Sequence, residues 1–208
     1  QPKLVISDID FLKTLPKREI VCGYAEIFKH SLIFEEKFFS FLDKNANKII
    51  NLKSPFIEKS IIKSCEIKKK IVELDEKEKS LRKILNFGHT FAHAYESSLN
   101  YSKRLNHGEA VLLGIYSAIS FSLKFKLLSK LNYLKIKDHF IKYKLPNKIN
   151  NYFLKKDLKR LIYFMKKDKK NTSNLINLIL IKKIGIIKLN LNFNEKVLNK
   201  FFKEELNN

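Results

Sequence analysis

Apolar positions along this chain recur mostly at helical spacing, and one stretch breaks the usual division of apolar and polar faces. Arg82, Asn86, His89, His93 and Glu96 follow one another at steps of four and three. At about 100° per residue on an α-helix, these five gather within a sector of roughly 80°. Ile84, Leu85, Phe87, Phe91, Ala92 and Ala94 fill the other faces. The spacing predicts a helix over 81–98 with apolar sides and a stripe of Arg, Asn, His, His and Glu. Such a stripe points to a wet cavity, a metal or an anionic ligand rather than to plain solvent.

The elements on either side follow from local signals. Residues 3–9, KLVISDI, read as a short buried strand, and 10–14 as a loop. Thr14 is placed to cap a helix over 16–31 that Pro16 helps to begin. Glu26 and Lys29 share a face of that helix at i,i+3, with His30 pointing elsewhere. A second helix covers 35–46. Ser54-Pro55 supplies a cap and a first-turn proline for a third helix reaching 74. The charged run 75–80 is a turn, and 100–108 is a polar loop. An apolar helix of about 20 residues then begins near Glu109. Gly114 inside it costs about 1 kcal/mol against Ala, which implies that another backbone packs closely there. Helices over 130–143 and 155–166 follow. The segments 174–181 and 185–191, with KKIG between them, predict a β-hairpin without clean alternation. Asn194 caps a last helix to 204. The fold expected is mainly α, with a small β annex and no internal repeat or linker.

Composition narrows the class. The chain has 208 residues, 45% of them hydrophobic, which is enough for a substantial core. Its net charge of +21 raises the question of nucleic acid, since clustered Lys and Arg gain affinity by releasing phosphate counterions. The lysines are spread along the whole chain, among abundant Ile and Asn, with no basic stripe. A solvated basic surface that focuses a small anionic substrate is the better account. Cys22 and Cys65 form neither a disulfide framework nor a CxxC motif, so a reducing cytoplasm is expected. No apolar run is long enough for a membrane span, and no signal peptide opens the chain. The opening, QPKLVISDIDFL, reads like a strand entered in mid-protein, so an upstream segment is expected.

The candidate chemistry centres on histidine. His89 and His93 stand at i,i+4, where two imidazoles on one helix can hold one metal. His107 just before a helix start, and Glu26 on a separate helix among Gly23, Tyr24, Ala25, Ile27 and Phe28, offer further ligands. A carboxylate in such apolar surroundings needs a partner, either Lys29 or a metal. Two histidines and one carboxylate with an open position make a catalytic zinc shell, able to polarise a hydroxyl or carbonyl. Glu109 is another possible ligand, although a carboxylate in a first helical turn is already accounted for by the helix dipole. Arg82, Lys29, Lys68 and the Lys169-Lys170 pair could bind phosphate or carboxylate, Arg82 with the bidentate geometry that suits an anion.

GYAEIFKH (23–30), LRKILNFGHTFAHAYE (81–96) and LNHGEAV (105–111), in this order, resemble the C-terminal domain of 3-dehydroquinate synthase, of the sugar phosphate cyclase group. SDIDFLKTLPKRE, KKKIVELDEKE and MKKDKKN add to the resemblance, which spans about 1–190. It implies zinc held by Glu26, His89 and His107, with His93 on the substrate rather than on the metal. It implies substrate contacts at Lys29, Lys68, Arg82, Asn86, His93 and Lys169, and NAD contacts at Phe11, Leu12, Lys13 and Thr14. The implied reaction converts 3-deoxy-D-arabino-heptulosonate 7-phosphate to 3-dehydroquinate and phosphate in the shikimate pathway. NAD is reduced and regenerated within each cycle, and zinc, or cobalt in its place, polarises the substrate hydroxyl. The resemblance further implies a homodimer. Residues 1–15 would link to an N-terminal α/β NAD-binding domain, and 16–208 would form the helical metal- and substrate-binding domain.

Two departures stand out. Ala92 replaces a family glycine, on the face away from the polar stripe. With five glycines in all, the chain has no Gly-rich nucleotide loop, so it is expected to be a half-enzyme without turnover by itself. Competing readings are another sugar phosphate cyclase, a domain like the iron-dependent alcohol or glycerol dehydrogenases, and, from a different class, a non-catalytic basic helical nucleic-acid-binding domain.

Overall fold

A computed structural model describes residues 3–167 and 175–207. Its helices are α1 (Lys17–Phe34), α2 (Glu36–Ile50), α3 (Phe56–Leu74), α4 (His89–Ser98), α5 (His107–Lys124), α6 (Lys130–Lys142), α7 (Leu158–Lys166) and α8 (Glu195–Glu205). Between α7 and α8 the strands β1 (Ile176–Lys183) and β2 (Ile186–Phe193) form an antiparallel hairpin. The mainly helical expectation with a β annex therefore holds. No helix among the described residues is long and apolar enough to cross a membrane.

Helix α5 is the hub. Ala110 to Ile115, Ser117 to Ile119, Phe121 and Ser122 are all buried, as expected of a helix that is apolar on every side. It packs against α1, α4, α6 and β1. Its buried hydroxyls are satisfied: Ser117 Oγ lies 2.7 Å from the Tyr95 hydroxyl, and Ser122 Oγ accepts from the Ile181 amide at 3.2 Å. The close approach predicted at Gly114 is real. A Cβ there would lie 2.3 Å from the Gly88 carbonyl oxygen and 3.2 Å from Ala92 Cβ. The methyl of Ala92 fits because residue 114 has none.

The hairpin register pairs Ile176 with Phe193 and Leu178 with Leu191, then shifts between Leu178 and Leu180. β1 is buried over most of its length, whereas β2 alternates, which explains why the sequence lacks a clean period of two. Asn194 caps α8 as expected, accepting from the Val197 amide.

Several boundaries differ from expectation. Residues 3–9 form no strand: Leu4, Val5 and Ile6 are 73–80% exposed, and a 3-10 turn at Ile9–Thr14 follows. A strand needs a neighbour to complete its hydrogen bonds, and no strand of the described residues pairs with this segment. Thr14 does not cap α1; its hydroxyl donates to the Phe11 carbonyl, and Pro16 occupies the cap position. Pro55, not Ser54, precedes the first residue of α3. The 155–166 helix divides into a 3-10 turn, Lys155–Asp157, and α7. The largest correction is at 81–98. Leu81–Asn86 is a 3-10 turn, Gly88 adopts φ +81°, and α4 begins only at His89. Gly88 sits against the α5 backbone, where a Cβ would lie 2.8 Å from the Ile115 nitrogen. This contact and the left-handed φ both require glycine, and together they break the helix that the periodicity predicts.

Candidate metal centre

Three elements converge on one spot. Glu26 projects from the middle of α1, while His89 and His107 are the first residues of α4 and α5. One ligand atom from each lies within 4.8 Å of the other two. Two close contacts hold the elements in register. The α4–α5 crossing at Gly88, Ala92 and Gly114 sets His89. Gly108 sets His107, because a Cβ there would lie 2.3 Å from Cys22 Cα on α1.

The donor atoms are those of a cation site. Glu26 Oε1 is buried and has no hydrogen-bond partner among the described residues. It lies 3.9 Å from His89 Nε2, too far for a hydrogen bond. Two donors on one tetrahedral zinc, with bonds of about 2.0–2.1 Å, stand roughly 3.3 Å apart, so a small contraction around an ion would bring both onto it. The other oxygen, Oε2, accepts from Lys29 Nζ at 2.6 Å, and Lys29 itself is 3% exposed. Glu26, His89 and His107 therefore fit a divalent metal in residue type, number and arrangement.

The electrostatics keep Glu26 and His89 in their metal-binding forms. Burial pushes the Glu26 carboxyl upward, but the charge and hydrogen bond of Lys29 outweigh it and leave the group below its ordinary value. His89 is pushed down to about 3 by burial and by the Lys29 ammonium, so the ring is neutral. Its position at a helix N-terminus also disfavours imidazolium. His107 is shifted the other way, upward, by its hydrogen bond to Glu96.

Glu96 and Glu109 are accounted for by the structure. Glu96, buried on α4, places Oε1 2.9 Å from His107 Nδ1. Sequence reasoning singled out Glu96 on the stripe without giving it a role; the only signal was its spacing of seven residues, two helical turns, from His89. Glu109 is not turned to the cluster. It closes a capping box with Asn106 and takes a bidentate pair from Arg18 on α1, Nε to Oε1 at 2.8 Å and Nη2 to Oε2 at 2.5 Å. Arg18 also donates to the Lys103 and Arg104 carbonyls. This clamps the loop before His107 onto the helix that carries Glu26.

The other expected residues are distributed unevenly. His93 lies one turn beyond His89 with the rings edge to face, centroids 5.4 Å apart. Lys68 is exposed on α3, near enough to His30 for its charge to be felt there. Arg82 and Asn86 leave the stripe because of the break at Gly88. Arg82 donates to the Glu76 carbonyl and its amide donates to Asp75, while the Asn86 amide side chain donates to Glu78. Both are held by the acidic turn 75–80. Phe11, Leu12, Lys13 and Thr14 form the last four residues of the first 3-10 turn. Leu12 lines an apolar cavity of about 240 Å³ with Gly23, Tyr24 and Ile27 of α1, while Phe11 is exposed and Lys13 pairs with Asp10. Lys169 lies outside the described residues.

A second histidine cluster escaped the sequence reading. His139 on α6 is fully buried, with Nδ1 2.9 Å from Asp43 Oδ1 and Nε2 2.9 Å from the Tyr24 hydroxyl. Its ring stacks on Phe28 at 4.5 Å and 5°. The Cys22 and Cys65 thiols are both free.

Comparison with known proteins places the chain in a family. Residues 23–171 match the family model described as 3-dehydroquinate synthase C-terminal. The chain is 58% identical over 206 residues to the 3-dehydroquinate synthase of Pelagibacter ubique (strain HTCC1062), covering 99% of this chain and 56% of that protein. It is 43% identical over 187 residues to the 3-dehydroquinate synthase of Campylobacter concisus (strain 13826), covering 89% and 51%. The chain thus spans about half the length of the curated relatives it matches. Among solved structures, a 2-epi-5-epi-valiolone synthase from Streptomyces hygroscopicus subsp. jinggangensis 5008, with NAD+ and Zn2+ bound, superposes with a TM-score of 0.82 at 18% identity, over 96% of this chain and 54% of that one. A 2-deoxy-scyllo-inosose synthase complexed with carbaglucose-6-phosphate, NAD+ and Co2+ gives 0.81 at 21% identity, over 99% and 56%. At these identities the structural likeness establishes the fold, and the sequence matches establish the family: this chain belongs to the 3-dehydroquinate synthase C-terminal family.

Proposed function

We propose that this chain is the metal- and substrate-binding half of a 3-dehydroquinate synthase, acting on 3-deoxy-D-arabino-heptulosonate 7-phosphate and releasing phosphate. The observation that carries this reading is the convergence of Glu26, His89 and His107, with Glu26 Oε1 buried and unpartnered. The relatives named 3-dehydroquinate synthase support the choice of reaction. The bound Zn2+, Co2+ and NAD+ of the structural neighbours support a divalent metal and that nucleotide.

In this reading Glu26, His89 and His107 hold zinc. The metal supplies Lewis-acid polarisation of a ring hydroxyl, and NAD supplies the hydride chemistry. The remaining work belongs to side chains of this chain. Lys29 and Lys68 add positive charge for a substrate bearing a carboxylate and a phosphate. His93, beside His89, is placed to hold or pass a proton at an imidazole nitrogen. Arg82 and Asn86 join the anion contacts when the substrate replaces the acidic turn that engages them here. Lys169 is proposed as a further anion contact. Phe11, Leu12, Lys13 and Thr14 would meet the nucleotide, whose main binding loops would come from an N-terminal domain. The chain alone is expected to bind metal without turnover, and a homodimer in the cytoplasm is the expected setting.

Titration of the metal-free chain with Zn2+ or Co2+ tests the reading. One ion per chain is expected, with a tetrahedral Co2+ spectrum. Glu26→Gln, His89→Ala and His107→Ala should each weaken binding a hundred-fold or more. Full retention by His107→Ala together with loss in His93→Ala would move the site to the i,i+4 histidine pair.

A further inference from the structure

We propose that Glu96 is a positioning residue for His107, fixing the proton on Nδ1 so that Nε2 is presented as the ligand nitrogen. The inference rests on the metal reading given above. A neutral imidazole has two tautomers, and only the nitrogen without the proton can bind a metal. Glu96 Oε1 lies 2.9 Å from His107 Nδ1. A carboxylate oxygen accepts, so Nδ1 donates, and the lone pair is left on Nε2. No other hydrogen bond of the described residues reaches the ring.

His107 needs such a brace more than His89 does. The His107 side chain is 58% exposed, against 12% for His89. Packing restrains the His89 ring, whereas an exposed ring samples several rotamers and both tautomers and must give these up on binding a metal. The brace is itself rigid: Glu96 is 7% exposed on α4, the helix whose first residue is His89. One helix thus carries one ligand directly and orients a second across the loop 99–106. The Arg18 clamp on that loop restrains the backbone of the same ligand, and Glu96 restrains its ring. Partners of this kind on metal-bound histidines raise metal affinity by about 10–100-fold.

The test uses the full chain and its Glu96→Ala and Glu96→Gln variants, with Co2+ and Zn2+ as probes. Glu96→Ala is expected to bind either metal about 10–100-fold more weakly. Glu96→Gln, whose side-chain carbonyl can still accept from Nδ1, should recover most of that loss. Nitrogen-15 NMR of the metal-free chain at alkaline pH reads the tautomer directly: Nδ1–H dominant in wild type and in Glu96→Gln, mixed in Glu96→Ala. Should Glu96→Ala keep both the wild-type affinity and the Nδ1–H tautomer, the proposal is overturned while the metal site stands. Should the wild-type chain bind no metal, the function reading fails, and the tautomer measurement still decides the role of Glu96. If Glu96→Ala fails to fold, as judged by circular dichroism, Glu96→Gln and Glu96→Asp carry the test. A dominant Nε2–H tautomer in the wild type would then overturn it.

Discussion

Among the described residues, two histidine–carboxylate clusters are built from similar parts, and only one of them has the donor set that fits a metal. In each, a carboxylate oxygen stands 2.9 Å from a histidine Nδ1: Asp43 with His139, and Glu96 with His107. The difference lies at the other nitrogen. His139 Nε2 meets the Tyr24 hydroxyl at 2.9 Å, inside a cage of Phe28, Phe39 and Tyr143, so every polar atom of the ring is satisfied. His107 Nε2 has no such partner among the described residues, and the carboxylate nearby, Glu26, has a buried oxygen left over. A buried carboxylate oxygen without a donor costs free energy. Its persistence beside two histidines is what marks a place for a cation. Residue type alone separates the two clusters poorly; unsatisfied valence separates them well.

The sharpest way to break this comparison is to truncate one histidine from each cluster. His139→Ala leaves the buried Tyr24 hydroxyl without its partner, removes the contact to the half-exposed Asp43 carboxylate and opens a cavity beside Phe28. It should cost about 3–5 kcal/mol of stability by denaturant unfolding. The protein that still folds should bind metal as wild type does. His89→Ala should do the reverse: affinity falls a hundred-fold or more, with metal-free stability within about 1 kcal/mol of wild type. Metal-dependent stabilisation, about 2.7 kcal/mol at a concentration a hundred times Kd, should then disappear. If His139→Ala loses metal at full stability, the sealed cluster is functional and the distinction fails.

Acid should expose the same contrast. Burial pushes His139 down to about 4, and burial with the Lys29 charge pushes His30 to about 4 and His89 to about 3. Around His139, Asp43 acts upward, and burial, acting in the same direction as Lys142, outweighs it. In the unfolded chain these rings take up protons near 6.5. The unfolded state therefore binds more protons below that pH, and stability present above 6.5 is lost as pH falls toward 4. Metal-free wild type should lose stability steeply over this window. His139→Gln should lose it with a visibly shallower slope, one proton of about three removed. An unchanged slope would mean that His139 is not held neutral by burial.

How much of this was legible in the sequence depended on the distance over which each relation acts. Turns and caps are local, and the Asn194 cap, the turn at 75–80 and the hairpin follow from the sequence, whereas the caps expected at Thr14 and Ser54 do not form. The strand expected over 3–9 was not, because an apolar run states a preference and only a neighbouring strand can satisfy it. The five-residue stripe failed at Gly88, where steps of four and three continued through a residue that tertiary contact with Gly114 and Ile115 forces into a left-handed turn. The FG pair was the available warning. Spacing by itself paired His89 with His93 and offered Glu26 and His107 as further ligands; the family resemblance put His107 on the metal in place of His93. Glu96 and His107 meet across a loop, and Asp43 and His139 are 96 residues apart, so no periodicity could have joined either pair.

The smallest expected effect tests whether the two clusters are independent. Tyr24 and Glu26 stand two residues apart on α1, so their side chains leave the helix about 200° apart, one into each cluster. Tyr24→Phe removes only the hydroxyl that donates to His139 Nε2 and keeps the ring that packs near Phe28. The loss should be about 1–2 kcal/mol, one hydrogen bond plus an unsatisfied imidazole nitrogen. The His139 ring would keep its Nδ1–H to Asp43 and its stack on Phe28, so α1 has no reason to rotate. Co2+ affinity and spectrum should therefore match wild type within error. A changed Co2+ spectrum in Tyr24→Phe, with stability nearly intact, would show that α1 transmits the state of the sealed cluster to Glu26. The buried network would then be part of the metal site's support rather than only of the fold's.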